Sequence, residues 1–242
     1  MKTAVEELVR LPGVWRGGEL ENAPREVVPT GHAALDRELP GGGWPVGVLS
    51  EVLHDEAGIG EVGFLAGALA VSCKSGRLLA WIAPPHLPYA PALVQAGLVL
   101  EHCLVMRPVH REDALWAAEQ CLRSGACGSL LLWLSAASDS RSRAGEYAWL
   151  RRLQLAAQAG RSMAVIFRSR SNAALSTPAH LRVSLSHEEG NLALRIPKRR
   201  GPPLLEALRL EAGWRSRMPQ PSASPLAEPV PTAVSSLPRI AA

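Results

Sequence analysis

The sequence contains no run of about 18 uncharged apolar residues, so no membrane-spanning helix is expected. Aromatic residues are scarce, at 5% of the chain, and seven of them are tryptophan. The hydrophobic fraction is nevertheless 47% of 242 residues, so a sizeable core must consist mainly of Leu, Val and Ala. The first residues, MKTAVEELVRLPG, carry two glutamates and lack the apolar centre of a secretion signal. We therefore expect a cytoplasmic protein that does not contact a membrane.

Motifs for metal or redox chemistry are also missing. The four cysteines are separated by 30, 18 and 6 positions, spacings that match no C-x-x-C motif. The seven histidines are scattered along the chain. The sequence therefore predicts reduced, mostly buried thiols, with no metal site and no cofactor.

Charge is unevenly distributed along the chain. Residues 1–160 hold 14 Lys/Arg and 17 Asp/Glu, whereas residues 161–217 hold 11 and 4. This asymmetry indicates an anionic partner, either nucleic acid or an acidic protein surface, and the alternative is a solvated basic face. Aromatic residues for base stacking are nearly absent nearby, so we expect any DNA binding to be weak, non-specific and directed at phosphates. The candidate contacts are Arg168, Arg170, Lys198, Arg199 and Arg200.

Hydrophobic patterning predicts an α/β fold with a mostly parallel sheet. The expected strands are 46–53, 78–83, 104–106, 129–135 and 164–167. The expected helices are 61–75, 88–97, 112–124 and 142–159. A late β-hairpin is predicted from segments 181–186 and 192–196, with a further short strand near 204–210.

The ends of the chain differ in composition from this core. Residues 1–27 are interpreted as a short helix and a linker, and the helix presents Val5, Leu8 and Val9 on one side. Residues 28–215 form the predicted core domain. Residues 216–242 contain six prolines and five serines, a composition that predicts a disordered tail.

One loop has the position of a phosphate-binding loop without its chemistry. Such a loop needs G-x-x-x-x-G-K-[ST], in which backbone N–H groups and the Lys hold phosphates and the Ser/Thr holds Mg²⁺. Residues 54–62 read HDEAGIGEV and include no Lys, Ser or Thr. A carboxylate, Glu61, stands about where the Lys is expected and would repel a triphosphate. The residues of this degenerate loop are Asp55, Glu56, Gly58, Ile59, Gly60 and Glu61.

The order of these segments resembles a RecA-type ATPase core. Residues 30–47, with TGHAALD and GGWPVG, resemble the approach to the RecA phosphate loop. Residues 129–135, SLLLWLS, match the strand that should end in a Mg²⁺-holding Asp, but no carboxylate follows until Asp139. The position of the water-activating Glu falls near Pro85, and residues 78–100 contain no carboxylate. The resemblance therefore implies a RecA-like fold that does not hydrolyse ATP, so we expect no enzyme activity.

More specifically, the chain resembles the ImuA family, often labelled SulA-like. The matching features are the loop 58–61, the strand 130–134 and the late hairpin ending in KRRG at 198–201. The resemblance implies an accessory protein of SOS-induced mutagenic translesion synthesis, associated with the nucleoid during DNA damage. The implied partners are an ImuB-like Y-family polymerase homologue, an error-prone replicative-type DNA polymerase complex and RecA. The N-terminal helix, with Val5, Leu8 and Val9, is a candidate docking face for RecA or a second copy, and the alternative is that it covers its own domain.

Two other functions compete with this interpretation. A divergent ATPase could still bind an anion at the glycine-rich turn before the helix that starts at Glu61. A SulA-like inhibitor of cell division is the third hypothesis, although a small inhibitor needs no RecA-like scaffold. Nucleotide titration separates the accessory-protein hypothesis from the divergent ATPase. Partner capture from damaged cells separates it from the inhibitor of cell division.

Overall fold

The computed structural model describes residues 26–55, 58–134, 145–188 and 191–210. Their strands are β1 (Val27–Val28), β2 (Trp44–Pro45), β3 (Val48–Leu53), β4 (Leu78–Ile82), β5 (Cys103–Met106), β6 (Cys127–Trp133), β7 (Met163–Arg168), β8 (Leu181–Glu188), β9 (Asn191–Lys198) and β10 (Leu204–Leu210). Their α-helices are α1 (Ala33–Glu38), α2 (Glu61–Cys73), α3 (Ala90–Gln95), α4 (Arg111–Arg123) and α5 (Glu146–Gly160). Short 3₁₀ turns span Leu100–His102 and Arg170–Asn172.

Eight of these strands form one sheet in the order β10-β9-β8-β3-β7-β6-β4-β5. The six strands from β8 to β5 are parallel, and β9 is antiparallel to both of its neighbours. The predicted α/β fold with a mostly parallel sheet is confirmed, as is the late hairpin, which is β8 and β9. This architecture is consistent with a RecA-like core.

The central strands are apolar throughout because helices cover both faces of the sheet. Every residue of β3, β6 and β7 is buried. On one face α2 contributes Phe64, Leu65 and Leu69 to the core. On the other face α4 and α5 contribute Leu115 and Leu153, among others. The phosphate-loop position therefore lies between a central strand and the helix that packs on the first face.

The predicted boundaries differ from the observed ones by a few residues. The strand predicted to begin at 46 begins at Val48, because Gly47 has φ 71° and its N–H donates to the carbonyl of Ser162. The helix predicted to end at 75 ends at Cys73, before Gly76 with φ 75°. The N-terminal helix with its docking face, and the tail 216–242, lie outside the described residues. Within the described ranges, no helix combines the length and apolarity needed to cross a bilayer.

Candidate functional site

The loop between β3 and α2 lies at the carboxyl end of the sheet, where parallel α/β sheets bind their ligands. Gly60 is the residue before the helix, with φ 102°, and Gly58 has φ 78°. Residues that carry a side chain rarely adopt this left-handed backbone conformation, whereas glycine adopts it readily. The two glycines therefore allow the tight turn. The turn directs two backbone N–H groups towards a common point at the start of α2.

That point is occupied by a carboxylate of the chain itself. Glu61 folds back over the loop, where its Oε2 accepts from the N–H of Gly60 at 3.1 Å and its Oε1 accepts from the N–H of Gly58 at 3.4 Å. The side chain is buried, with Glu61 only 4% exposed. Backbone N–H groups at a helix start form an anion site, and here the anion is internal. The sequence predicted a carboxylate that would repel a triphosphate; in the structure it also takes up the donors that a phosphate would use.

Other residues of the degenerate loop have structural contacts. The Asp55 carboxylate accepts from the N–H of Arg170 at 3.0 Å and from the Ser169 hydroxyl at 3.2 Å, which ties the loop to the end of β7. Ile59 is buried in the core on the α2 face. Glu56 lies outside the described residues. These contacts connect the loop to its own domain.

The described ends of β6 and β4 carry no carboxylate where the RecA resemblance predicts one. The strand β6 ends with Trp133 and continues into Leu134, which is buried. Asp139 is outside the described residues. Beyond β4, Pro85 stands near the position expected for a water-activating Glu. Neither of these described positions offers a group that could hold Mg²⁺ or activate water.

A column of stacked rings fills the strand ends on the α2 face. Trp81 stacks on Trp133 with ring centroids 5.8 Å apart, and Trp133 stacks on Phe167 at 4.4 Å. His54 meets Phe167 edge to face at 5.8 Å. Each such contact contributes about 0.5–1.5 kcal/mol beyond the area that it buries. The rings therefore pack β4, β6 and β7 against one another on this face.

A buried network of ion pairs lies on the opposite face of the same sheet end. Glu51, in β3, is fully buried and accepts from Arg168 Nη1 and from Arg182 Nε, each at 2.7 Å. Arg168 also contacts Glu146 at 2.9 Å, and Glu146 contacts Arg111 at 2.6 Å. The chain of charges joins β8, β3, β7, α5 and α4. Because these charges are shielded from water, removing one of them would leave an uncompensated charge inside the protein.

The network corrects the prediction that Arg168 belongs to a nucleic-acid contact. Its side chain is 2% exposed and engages two carboxylates. Arg170 is exposed, and its backbone N–H binds Asp55. Arg168 ends a buried strand, and its carboxylate partners come from elements that are distant in sequence. The sequence alone does not identify such partners.

The remaining predicted cations lie at the end of β9, where Lys198 pairs across the hairpin with Arg182. They border a cleft of about 410 Å³, between the turn before β2 and the segment leading into β8. Lys198 Nζ donates to the carbonyl of Thr177 at 2.9 Å, and Arg199 binds the carboxylate of Glu38 at 3.0 Å. Burial, and then the charge of Arg182, lower the pKa of Lys198. Arg200 also lines the cleft.

The predicted basic cluster is therefore only partly brought together. Lys198, Arg199 and Arg200 share the cleft, whereas Arg168 is buried in the ion network and Arg170 follows β7. Two strands, β3 and β8, separate β7 from β9, which places the strands roughly 14 Å apart at about 4.8 Å per strand. Arg170 lies beyond the carboxyl end of β7 and does not line the cleft. A contact to one ligand by all five cations is not supported by this arrangement.

Sequence reasoning missed Glu146 and Arg182. The available signal was Glu51 itself, a charge in the middle of the apolar strand VLSEVL. A buried carboxylate requires cationic partners, but the sequence did not identify which arginines supply them. Within the described ranges, no three His, Cys, Asp or Glu side chains gather as metal ligands.

Comparison with known proteins shows similarity to RecA. The chain is 32% identical to Protein RecA of Streptomyces avermitilis over 119 residues, which are 49% of this chain and 31% of that protein. It is 33% identical to Protein RecA of Leifsonia xyli over 133 residues, 54% of this chain and 37% of that protein. For Protein RecA of Thermotoga maritima the identity is 32% over 109 residues, 45% and 30% of the two chains.

These matches are partial on both sides. The chain spans about a third of the length of the curated relatives that it matches. No family model matches it. Together with the mostly parallel sheet, the matches support a RecA-like family for this chain.

Proposed function

We propose that the chain is a non-catalytic RecA-like accessory protein of DNA-damage-induced mutagenic translesion synthesis. It acts by binding an ImuB-like Y-family polymerase homologue and RecA, within an assembly that includes an error-prone replicative-type polymerase. Similarity to proteins named RecA supports a role connected with DNA damage. The motifs at 58–61, 130–134 and 198–201 support the narrower assignment to the ImuA family. The chain is then a cytoplasmic protein that joins the nucleoid when DNA is damaged.

The observation that carries the non-catalytic part is the position of Glu61. Its carboxylate accepts hydrogen bonds from Gly58 and Gly60, the loop donors that a nucleotide phosphate would require. A phosphate would have to displace this buried carboxylate and then stay next to its negative charge. Phosphoryl transfer also depends on positioned cations and a water-orienting group. Among the described residues, neither the end of β6 nor the segment around Pro85 carries a carboxylate.

Exposed apolar residues support a protein-binding role. The strand β5 is at the edge of the described sheet, and Leu104 and Val105 on it are exposed. A strand edge of this kind accepts an added strand or an apolar partner. Further exposed apolar residues lie near it in sequence, before, within and after α3: Leu87, Tyr89, Val94, Val99 and Leu100. We assign the edge of β5 to the ImuB-like partner.

Co-purification with the ImuB-like polymerase tests the proposal. The full chain should retain the partner from cells exposed to a DNA-damaging agent, and Leu104→Asp should abolish retention because it places a charge in the apolar contact. The matched control is Leu205→Asp, since Leu205 is also exposed, at 66%, but lies on β10 at the opposite edge of the sheet. Equal binding by both variants would exclude the β5 edge, and no binding by the native chain would exclude the partner.

Nucleotide titration and turnover test the non-catalytic part separately. We expect no saturable ATP binding at millimolar nucleotide and no hydrolysis above background. Glu61→Lys combined with Val62→Thr should restore some phosphate affinity, because it removes the internal anion and supplies the missing cation and hydroxyl. Hydrolysis should remain absent, since no carboxylate is added. ATP turnover by the native chain that is lost on changing Glu61 would contradict the proposal.

A second candidate function is anion binding without hydrolysis, and the loop geometry favours it as the alternative. The N–H groups of Gly58 and Gly60 both donate to the Glu61 carboxylate, so the two donors converge on an anion. Glu61→Ala leaves these donors in place while removing the carboxylate. Phosphate binding by this variant but not by the native chain would support an internally blocked site, whereas binding by both would favour the nucleotide-binding alternative.

A further inference from the structure

The cleft of about 410 Å³ beside the end of β9 has the size of a ligand site, since such sites typically measure about 300–1,000 Å³. Three separate segments form its walls: residues 39–45 around β2, residues 178–181 leading into β8, and residues 198–200 at the end of β9. Three prolines, Pro40, Pro45 and Pro178, restrict the backbone of two of these segments. The space is therefore preformed.

One part of the cleft lining is apolar. Leu39, Ala179 and Leu181 line the cleft, and each of them is at most 3% exposed. Pro45 is buried as well and contributes to the same lining. An apolar group that enters the cleft would leave water for contact with these residues, which is favourable. The cleft can therefore take up an apolar side chain of a ligand.

The other part of the lining is positively charged. The lining residues, all within the described part of the chain, include Lys198, Arg199 and Arg200 but no Asp or Glu. Arg199 is held in place by the Glu38 carboxylate, which its Nη1 contacts at 3.0 Å. Lys198 Nζ donates to the carbonyl of Thr177 at 2.9 Å, a neutral partner that leaves further ammonium hydrogens available. The lining thus carries an excess of positive charge.

Arg200 is the cation that is most available to a ligand. It is half-buried, and the ion pairs formed among the described residues do not include it. Burial lowers the pKa of the neighbouring Lys198, and the charge of Arg182 lowers it further. A carboxylate bound in the cleft would act on this pKa in the opposite direction. An anionic ligand would therefore balance the charge of the lining.

The composition of the lining distinguishes between three classes of anion. Nucleic acid would bring phosphates, but no Phe, Tyr or Trp lines the cleft, so a base would find none of these rings to stack on. A free phosphate ion would leave the apolar part of the lining without a contact. A peptide that carries an apolar side chain between carboxylates would contact both parts of the lining. The lining therefore favours an acidic peptide.

We propose that this cleft is a docking site for an acidic peptide segment of a partner protein. An apolar side chain of the segment packs against Leu39 and Leu181, and the flanking carboxylates bind Lys198 and Arg200. Arg199, held by its own ion pair, forms part of the wall. The cleft lies beside β8 and β9, whereas β5 is at the far edge of the described sheet. This inference therefore does not depend on the proposed function.

Fluorescence anisotropy on the purified full chain tests the proposal, with a labelled peptide that carries a leucine between two glutamates. Two matched peptides replace either both glutamates by glutamine or the leucine by serine. The Glu-Leu-Glu peptide should bind about tenfold more tightly than either of them, because each matched peptide loses one part of the contact. Equal binding of the three peptides, or binding of none of them, would overturn the proposal.

Substitutions of Arg200 locate the binding in the cleft. Arg200→Ala should weaken binding of the Glu-Leu-Glu peptide about tenfold, because it removes a charge-assisted hydrogen bond. The matched control is Arg170→Ala, since Arg170 is an exposed arginine that does not line the cleft. Arg200→Glu should reverse the preference, so that a Lys-Leu-Lys peptide binds more tightly than Glu-Leu-Glu. Circular dichroism checks that the variants are folded. Equal losses in Arg200→Ala and Arg170→Ala would mean that only the overall charge attracts the peptide, and the site would be refuted.

Competition at about 0.15 M salt separates the peptide from other anions, because screening there weakens contacts that are purely electrostatic. Neither inorganic phosphate nor a dT oligonucleotide should displace the Glu-Leu-Glu peptide at concentrations near the Kd of the peptide, since neither packs on the apolar part of the lining. Displacement by the oligonucleotide at such concentrations would assign the cleft to nucleic acid, and displacement by phosphate would make it a general anion site. Either result would contradict the peptide assignment.

Discussion

Glu51 is predicted to be a main electrostatic determinant of stability. It is fully buried and accepts from two guanidinium groups that are 2% and 6% exposed, and from the Thr177 hydroxyl at 2.9 Å. Glu51→Gln preserves the shape but removes the charge. Arg168 then keeps Glu146 as a partner, whereas Arg182 keeps the backbone carbonyls of residues 173 and 175. One positive charge is left without full compensation inside the protein.

The magnitude follows from the cost of breaking a buried pair. Removing one partner costs about 3–5 kcal/mol, because the other charge stays buried. With a urea dependence of about 2 kcal/mol per molar, the unfolding midpoint should fall by roughly 1.5–2.5 M. Domains typically have a free energy of unfolding of about 5–15 kcal/mol. The variant should therefore still fold without denaturant unless the native protein lies at the low end of this range. The assay is equilibrium unfolding in urea, followed by tryptophan fluorescence and by circular dichroism.

The control is an ion pair on the surface. Glu26 contacts Arg161 at 2.5 Å, but the two side chains are 56% and 75% exposed. Glu26→Gln should therefore change stability by no more than about 1 kcal/mol. Replacing Glu51, Arg168 and Arg182 together by Met should recover much of the loss, because well-packed apolar side chains often substitute for a buried ion network. If Glu51→Gln costs no more than Glu26→Gln, the network does not stabilise the fold as argued.

Three further predictions concern the surface and the ends of the chain. Changing Lys198, Arg199 and Arg200 to Ala should weaken non-specific single-stranded DNA binding and reduce its logarithmic salt slope by about two, at about 0.7 per phosphate contact; an unchanged slope in a salt titration would place DNA binding elsewhere. Deleting residues 218–242 should leave the melting temperature within about 1 °C, since a Pro/Ser-rich segment buries little surface; a large decrease would show that it packs on the domain. Leu8→Asp should abolish association with RecA or a second copy while circular dichroism stays native; loss of folding would favour packing on its own domain.

The sequence was informative about elements and less so about long-range partners. Buried strands are recognisable in the sequence as apolar runs. The predicted ends of β6 and β7 therefore lie within two residues of the observed ends. A turn signal near Gly190 predicted the hairpin of β8 and β9. These features depend on residues that are close in sequence, so their pattern can be identified directly from the sequence.

Side-chain pairing across the sheet could not be predicted in the same way. Arg168 looks the same in sequence whether it faces solvent or Glu51, which is 117 positions away. The position of Glu61 depends on how the glycine turn folds back, and only the turn geometry brings its carboxylate onto the loop N–H groups. The cleft beside Arg199 depends on three segments that are distant in sequence. In each case the deciding interaction is non-local.

The internal carboxylate has a consequence for how this RecA-like fold is controlled. A ligand shifts a conformational equilibrium only by binding one state more tightly than another. The two loop N–H groups donate to Glu61, so the chain itself satisfies these donors. The aromatic column and the ion network likewise hold the carboxyl ends of the central strands without a bound group. Under the proposed function we therefore expect partner binding to be equally strong with and without ATP, and co-purification at both conditions measures this.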